Sequence, residues 1–113
     1  MLRQTAAGDG LIEGNVFADT TGAGVTLLNE PDWPEGPMPW NVTVRKNRFV
    51  RGGTCLGYAD GSHGALHIRA AKLGFGLGER PGVRDIVIEQ NEFVDCLGPA
   101  INAGGVDGLR IRN

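Results

Sequence analysis

One short string occurs three times in this chain and opens a fourth time. Ile86–Phe93 ends in Asn-x-Phe, and so do Val42–Phe49 and Gly10–Phe17. Aligned on that ending, Asn15, Asn47 and Asn91 coincide, as do Phe17, Phe49 and Phe93. Five and three residues ahead of each Asn stand Gly10 and Ile12, Val42 and Val44, then Ile86 and Ile88. Apolar residues at every second position predict a strand with one buried face. A fourth copy opens at Leu109-Arg110-Ile111. Such a repeat narrows the fold more than local propensity does. Each copy is too small to bury its own apolar face and must stack on the next.

A second strand follows each Phe. Its inward positions are Val25, Leu66 and Ile101, then Leu27, Ile68 and Ala103. Leu2 falls where Ile101 falls, so residues 2–4 are predicted to be the second strand of a preceding copy. Ile88 and Ile111 are 23 residues apart, Ile12 and Val44 are 32 apart, and Val44 and Ile88 are 44 apart. The extra residues fall outside the strands, in insertions at 29–40, 58–63 and 69–82. Glycine supplies 19 residues, about twice its usual share, as many tight turns require.

These Ile-x-x-Asn-x-Phe and Gly-x-Ala-Ile strings resemble those of the right-handed parallel β-helix, the pectate-lyase-like fold. The resemblance implies an all-β solenoid of about four rungs, filling 1–113 as one segment, with rungs starting near 10, 42, 86 and 109. Equivalent side chains would stack about 4.8 Å apart. Asn15, Asn47 and Asn91 would form an asparagine ladder, and the three Phe would stack inside. Both ends fall mid-rung, so the reading is a fragment truncated at both ends. Its end rungs would be covered by the rest of a parent chain or by self-association. A leucine-rich repeat of similar length needs a Leu-x-x-Leu-x-Leu string, which is absent.

Composition excludes several classes. The formal charge is -2 and the 11 Lys+Arg are scattered, so no nucleic-acid partner is expected. No apolar run approaches the roughly 18 residues of a membrane span, and residues 1–14 lack a signal-peptide pattern. Only the fold analogy favours a secreted or periplasmic setting. The two cysteines form no Cys-x-x-Cys, and His63 and His67 are the only histidines, so no metal site is expected. Gly74–Gly78 has no strand before it and no helix after it, so it is no dinucleotide fingerprint, and no cofactor is implied. Cys55 and Cys96 fall at equivalent positions in neighbouring copies, where stacked thiols are expected in preference to a disulfide.

Chemistry is expected where the copies stop matching. Glu13, Arg45, Glu89 and Arg112 form an outward row of alternating charge, read as a surface ion-pair ladder. The second strand carries an outward row of Thr26, His67 and Asn102, framed by the insertions and therefore read as the floor of a groove. Trp33 and Trp40 offer sugar-stacking faces or anchor their loop. His63, His67 and Arg69 are the remaining candidates for substrate binding. Ser62-His63-Gly64 and His67-Ile68-Arg69 resemble polygalacturonase strings, but that family's Asn-Thr-Asp and Asp-Asp strings are absent.

The resemblance implies a carbohydrate-active segment of glycoside hydrolase type acting on an oligo- or polysaccharide. Two carboxylates would perform the acid–base hydrolysis, with Asp32, Glu35, Asp60 and Glu79 as candidates. A separation of about 5 Å suits retention, and about 6.5–9.5 Å suits inversion. The alternative is a non-catalytic glycan-binding or adhesion-type β-helix. Convergence of two carboxylates on His67 distinguishes the two readings.

Overall fold

The computed structural model describes residues 2–4, 8–29, 38–53, 64–70 and 83–112. Every element among them is a strand, and every strand pair is parallel. The strands are β1 (Leu2–Gln4), β2 (Gly10–Glu13), β3 (Val16–Ala18), β4 (Val25–Asn29), β5 (Trp40–Arg45), β6 (Arg48–Val50), β7 (Leu66–Ala70), β8 (Val83–Glu89), β9 (Glu92–Val94), β10 (Ile101–Gly104), β11 (Val106–Asp107) and β12 (Arg110–Arg112). No helix among the described residues is long and apolar enough to cross a membrane.

Three sheets result. One runs β1-β4-β7-β10, a second runs β11-β8-β5-β2 with β12 also on β8, and the third runs β3-β6-β9. Within each sheet, strands from successive copies lie side by side, an order compatible with a parallel β-helix. The register follows the sequence alignment. Ile12 pairs with Val44 and Val44 with Ile88, while Ile88 pairs with Ile111. Leu2 pairs with Val25, in the same row as Leu66 and Ile101.

The Asn-x-Phe string is a corner followed by a separate strand. Gly14, Lys46 and Gln90 have φ of 70°, 54° and 54°, which turns the chain out of the second sheet. The Asn amide then satisfies the corner. Asn47 Nδ2 donates to the carbonyls of Ile12 and Arg45 at 2.8 and 2.9 Å and to Asn91 Oδ1 at 3.0 Å. Asn91 Nδ2 donates to the Val44 carbonyl at 2.9 Å. Peptide groups leaving a sheet need partners inside the protein, and an amide supplies both donor and acceptor.

Beyond the corner the Phe rings stack. Phe17 and Phe49 have centroids 5.1 Å apart, and Phe49 and Phe93 are 4.9 Å apart with planes 9° from parallel. Phe49 is fully buried, and its outer neighbours are half-buried. Ile12, Val25, Leu27, Val42, Val44, Leu66, Ile68, Ile86 and Ile88 fill the space enclosed by the sheets together with Phe49. Gly24 admits the stack. A Cβ there would come within 2.8 Å of Phe17 Cβ and 3.0 Å of the Phe49 ring.

Candidate functional site

The row expected to floor a groove lies on the β1-β4-β7-β10 sheet, where Arg3, Thr26, His67 and Asn102 are in register. It differs from expectation in one respect. Thr26 is 1% and His67 3% exposed, so neither is open to solvent, while Asn102 is half-buried. Part of the reason is the stacking itself. Thr26 and His67 each have a partner on both sides, whereas Asn102 is the last of the row. The Thr26 hydroxyl is buried without a hydrogen-bond partner among the described residues. Arg69 lies on β7 between Leu28 and Gly104 in register and is exposed.

Trp40 opens β5, half-buried. A Cβ on Gly8 would meet its Cζ2 at 2.7 Å, so the Gly8 backbone packs against the ring. Arg84, its register partner, holds its guanidinium carbon 5.6 Å from the ring centroid. Both contacts fix the indole at the start of the strand.

Asp32, Glu35, Asp60, Glu79, Trp33 and His63 lie outside the described residues, as do most of the three insertions. Cys55 does too. Cys96 is a half-buried free thiol whose Sγ lies 3.6 Å from the carbonyl oxygens of Phe49 and Val94. Among the described residues no group of His, Cys, Asp or Glu is placed to hold a metal ion.

Sequence reasoning missed a second feature. Asp9, Asn41 and Asp85 sit six residues ahead of the three aligned Asn, with Gly108 at the same place in the fourth copy. All four have positive φ, between 50° and 70°, the left-handed region that Asn, Asp and Gly tolerate best. Trp40, Asn41, Asp85, Val87, Gly108 and Arg110 line a surface cleft of about 250 Å³ there. The fixed offset of the Asx residues was the available signal.

The charged rows pair as their alternation predicts. Arg45 holds Glu13 through two hydrogen bonds at 3.0 and 3.2 Å, and lies 4.0 Å from Glu89. Lys46 Nζ is 3.4 Å from Glu13. A second column, at the corner after the Phe strand, joins Arg51 to Asp19 at 2.6 and 2.7 Å. The Arg45 hydrogen bonds pull the Glu13 carboxyl below its ordinary range, and those from Arg51 do the same for Asp19.

Among known proteins, the chain is similar to a segment of several called alpha-1,3-galactosidase B. It is 33% identical over 109 residues to the one from Phocaeicola vulgatus, covering 91% of this chain and 18% of that protein. The protein from Bacteroides fragilis is 31% identical over 106 residues, with 91% and 18% covered. That from Parabacteroides distasonis is 30% identical over 105 residues, with 91% and 17% covered. The chain thus spans less than a fifth of the length of these curated relatives. No protein-family model matches it, and no solved structure does.

Proposed function

We propose that the chain is a right-handed parallel β-helix segment, pectate-lyase-like in type, of a glycoside hydrolase acting on α-linked galactosides. The observation that carries this reading is the similarity to alpha-1,3-galactosidases over 91% of the chain. The all-parallel sheets and the amide-to-amide bonds of Asn15, Asn47 and Asn91, an asparagine ladder on this reading, agree with it. So does the rigid register, which would hold loop-borne groups in fixed relation. The four copies would be rungs of a single unit, 1–113. Further chain, from a parent protein or a second copy, would cover the outer edge of β10 and β12. Ile111 is exposed there, although its row partners Val44 and Ile88 are buried.

Hydrolysis would use two carboxylates drawn from Asp32, Glu35, Asp60 and Glu79. Trp33, Trp40, His63 and Arg69 would contact the glycan. The test is release of galactose from an α-1,3-linked galactoside by the parent enzyme, with each carboxylate changed in turn to its amide. Loss of turnover in two of the four variants, with the fold retained, is the expected result. Full activity in all four would remove these residues from the mechanism.

A second reading has one specific observation behind it. The burial of Thr26 and His67 favours a scaffold role for that row over direct contact with substrate. On this reading the segment supports a glycan-binding surface without cleaving anything. Unchanged turnover in a His67→Ala parent enzyme would agree with it for this row.

A further inference from the structure

The cleft at the bend of β5 and β8 lies on a different sheet from the Thr26–His67–Asn102 row. From its geometry we infer that it is a binding subsite for a single neutral sugar residue. The sugar class rests on the galactosidase reading, and the site itself rests on the following observations.

The column that forms the cleft is interrupted. Asn41 Nδ2 donates to Asp9 Oδ1 at 2.6 Å, so these two members of the column close on each other. Asp85 has no such partner on its outer side, because the next member is Gly108. A Cβ on Gly108 would lie 3.1 Å from Asp85 Oδ1, so the carboxylate fronts the space where a side chain is lacking. Gly108 also separates β11 from β12, so that among the described residues the second sheet is divided in this way only in the fourth copy. Arg110 follows on β12, in register with Val87, and lines the same cleft. Trp40, fixed by Gly8 and Arg84, forms a rigid wall.

The chemistry matches a polyol. A carboxylate only accepts hydrogen bonds and a guanidinium only donates them. With its Nδ2 engaged, Asn41 offers its side-chain carbonyl as a further acceptor. Sugar hydroxyls both donate and accept, so they satisfy such a mixed set, while Val87 and Trp40 add apolar surface for the C–H groups of a ring. Asp85 and Arg110 carry opposite charges, and Arg84 Nε is 3.9 Å from Asp85. The Asp85 carboxylate fronting the cleft gives an anionic sugar or a phosphate less advantage than the arginines alone would. The volume of about 250 Å³ is below the roughly 300–1,000 Å³ typical of pockets for larger ligands. It fits one residue of a glycan, not an extended stretch.

The test is titration of the protein with methyl α-galactoside, followed by ligand-detected NMR, with galacturonate and inorganic phosphate as comparators. Gly108→Asn places an amide against Asp85, as Asn41 is placed against Asp9, at a φ that Asn tolerates. It is expected to weaken binding at least about tenfold, or about 1.4 kcal/mol, with the fold retained and a small fall in the thermal midpoint from the left-handed φ. Arg110→Ala, an exposed change, is expected to weaken it similarly and covers the case where Gly108→Asn misfolds. Unchanged binding in both variants overturns the inference, and so does a wild-type preference for galacturonate or phosphate, or no binding at all. Cleavage by the parent enzyme is scored separately. Cleavage without binding here removes the subsite and leaves the hydrolase reading. Binding here without cleavage removes the hydrolase reading and leaves the subsite.

Discussion

Asn47 Oδ1 accepts two hydrogen bonds from one residue, the main-chain N and the Nδ2 of Asn15, each at 3.0 Å. Its own main-chain N and Nδ2 donate in the same way to Asn91 Oδ1. One buried side chain therefore serves two corners. Asn47→Ala leaves the Asn15 peptide nitrogen and the Ile12 carbonyl without these partners inside the protein. It is expected to lower stability by about 2–3 kcal/mol, measured by urea denaturation. Asn91→Ala, nearer the edge, should lose less. Equal losses would mean that the position in the stack does not matter.

Phe49 is the middle ring of three and is fully buried. Phe49→Ala opens a cavity flanked by two rings that the sheet spacing prevents from closing. The expected loss is about 3–5 kcal/mol. Phe93→Ala should cost distinctly less, because Phe93 stacks on one side only and is half-buried. Paired thermal and chemical denaturation would rank the two.

Thr26 offers a prediction of opposite sign. Its hydroxyl is buried with no partner among the described residues, so Thr26→Val should leave stability unchanged or raise it by about 1 kcal/mol. If the proposed galactosidase activity were then kept in full, Thr26 would be scaffold. A fall in activity with stability unchanged would return it to the site.

Acid should act first on the exposed pairs. Glu13 and Asp19 are held below their ordinary values of 4.5 and 3.8 by Arg45 and Arg51. A carboxyl depressed in the folded state adds stability that is complete above its unfolded value. That stability is lost as pH falls through the lower folded value. Stability should therefore be flat near neutrality and fall below about pH 4. Asp19→Asn should flatten part of that fall, and molar salt should shrink it, since both pairs are exposed. A fall beginning near pH 6 would point to a histidine instead.

The strand rows were legible because their alternation has a single cause. Ile12, Val44 and Ile88 face a common interior, and any register shift would turn them to solvent. Arg45 between Glu13 and Glu89 was legible for a similar reason, since charges one strand apart must alternate or repel. The burial of Thr26 and His67 was not legible, because alternation reports which side of a strand faces the core and not how exposed the other side is. The cleft at Asp85 was missed on different grounds. Its Asx residues mark a bend of positive φ, and Asn and Asp read as punctuation until the residue that breaks the column, Gly108, is placed beside them. The insertions carry no repeat, so nothing in the alignment says where Asp32 or Glu79 points.

Val44 pairs with Ile12 across 32 residues of chain and with Ile88 across 44, with the same parallel geometry on either side. Spatial neighbourhood in this fold is thus indifferent to contour length. Doubling a loop adds only about 0.6 kcal/mol of closure entropy, which a fixed ladder of strands readily absorbs. Material can be spliced between β4 and β5, or between β7 and β8, and every other residue keeps its address. Such a scaffold separates the problem of folding from the problem of acquiring new surface chemistry, and it lets the second vary freely while the first stays solved.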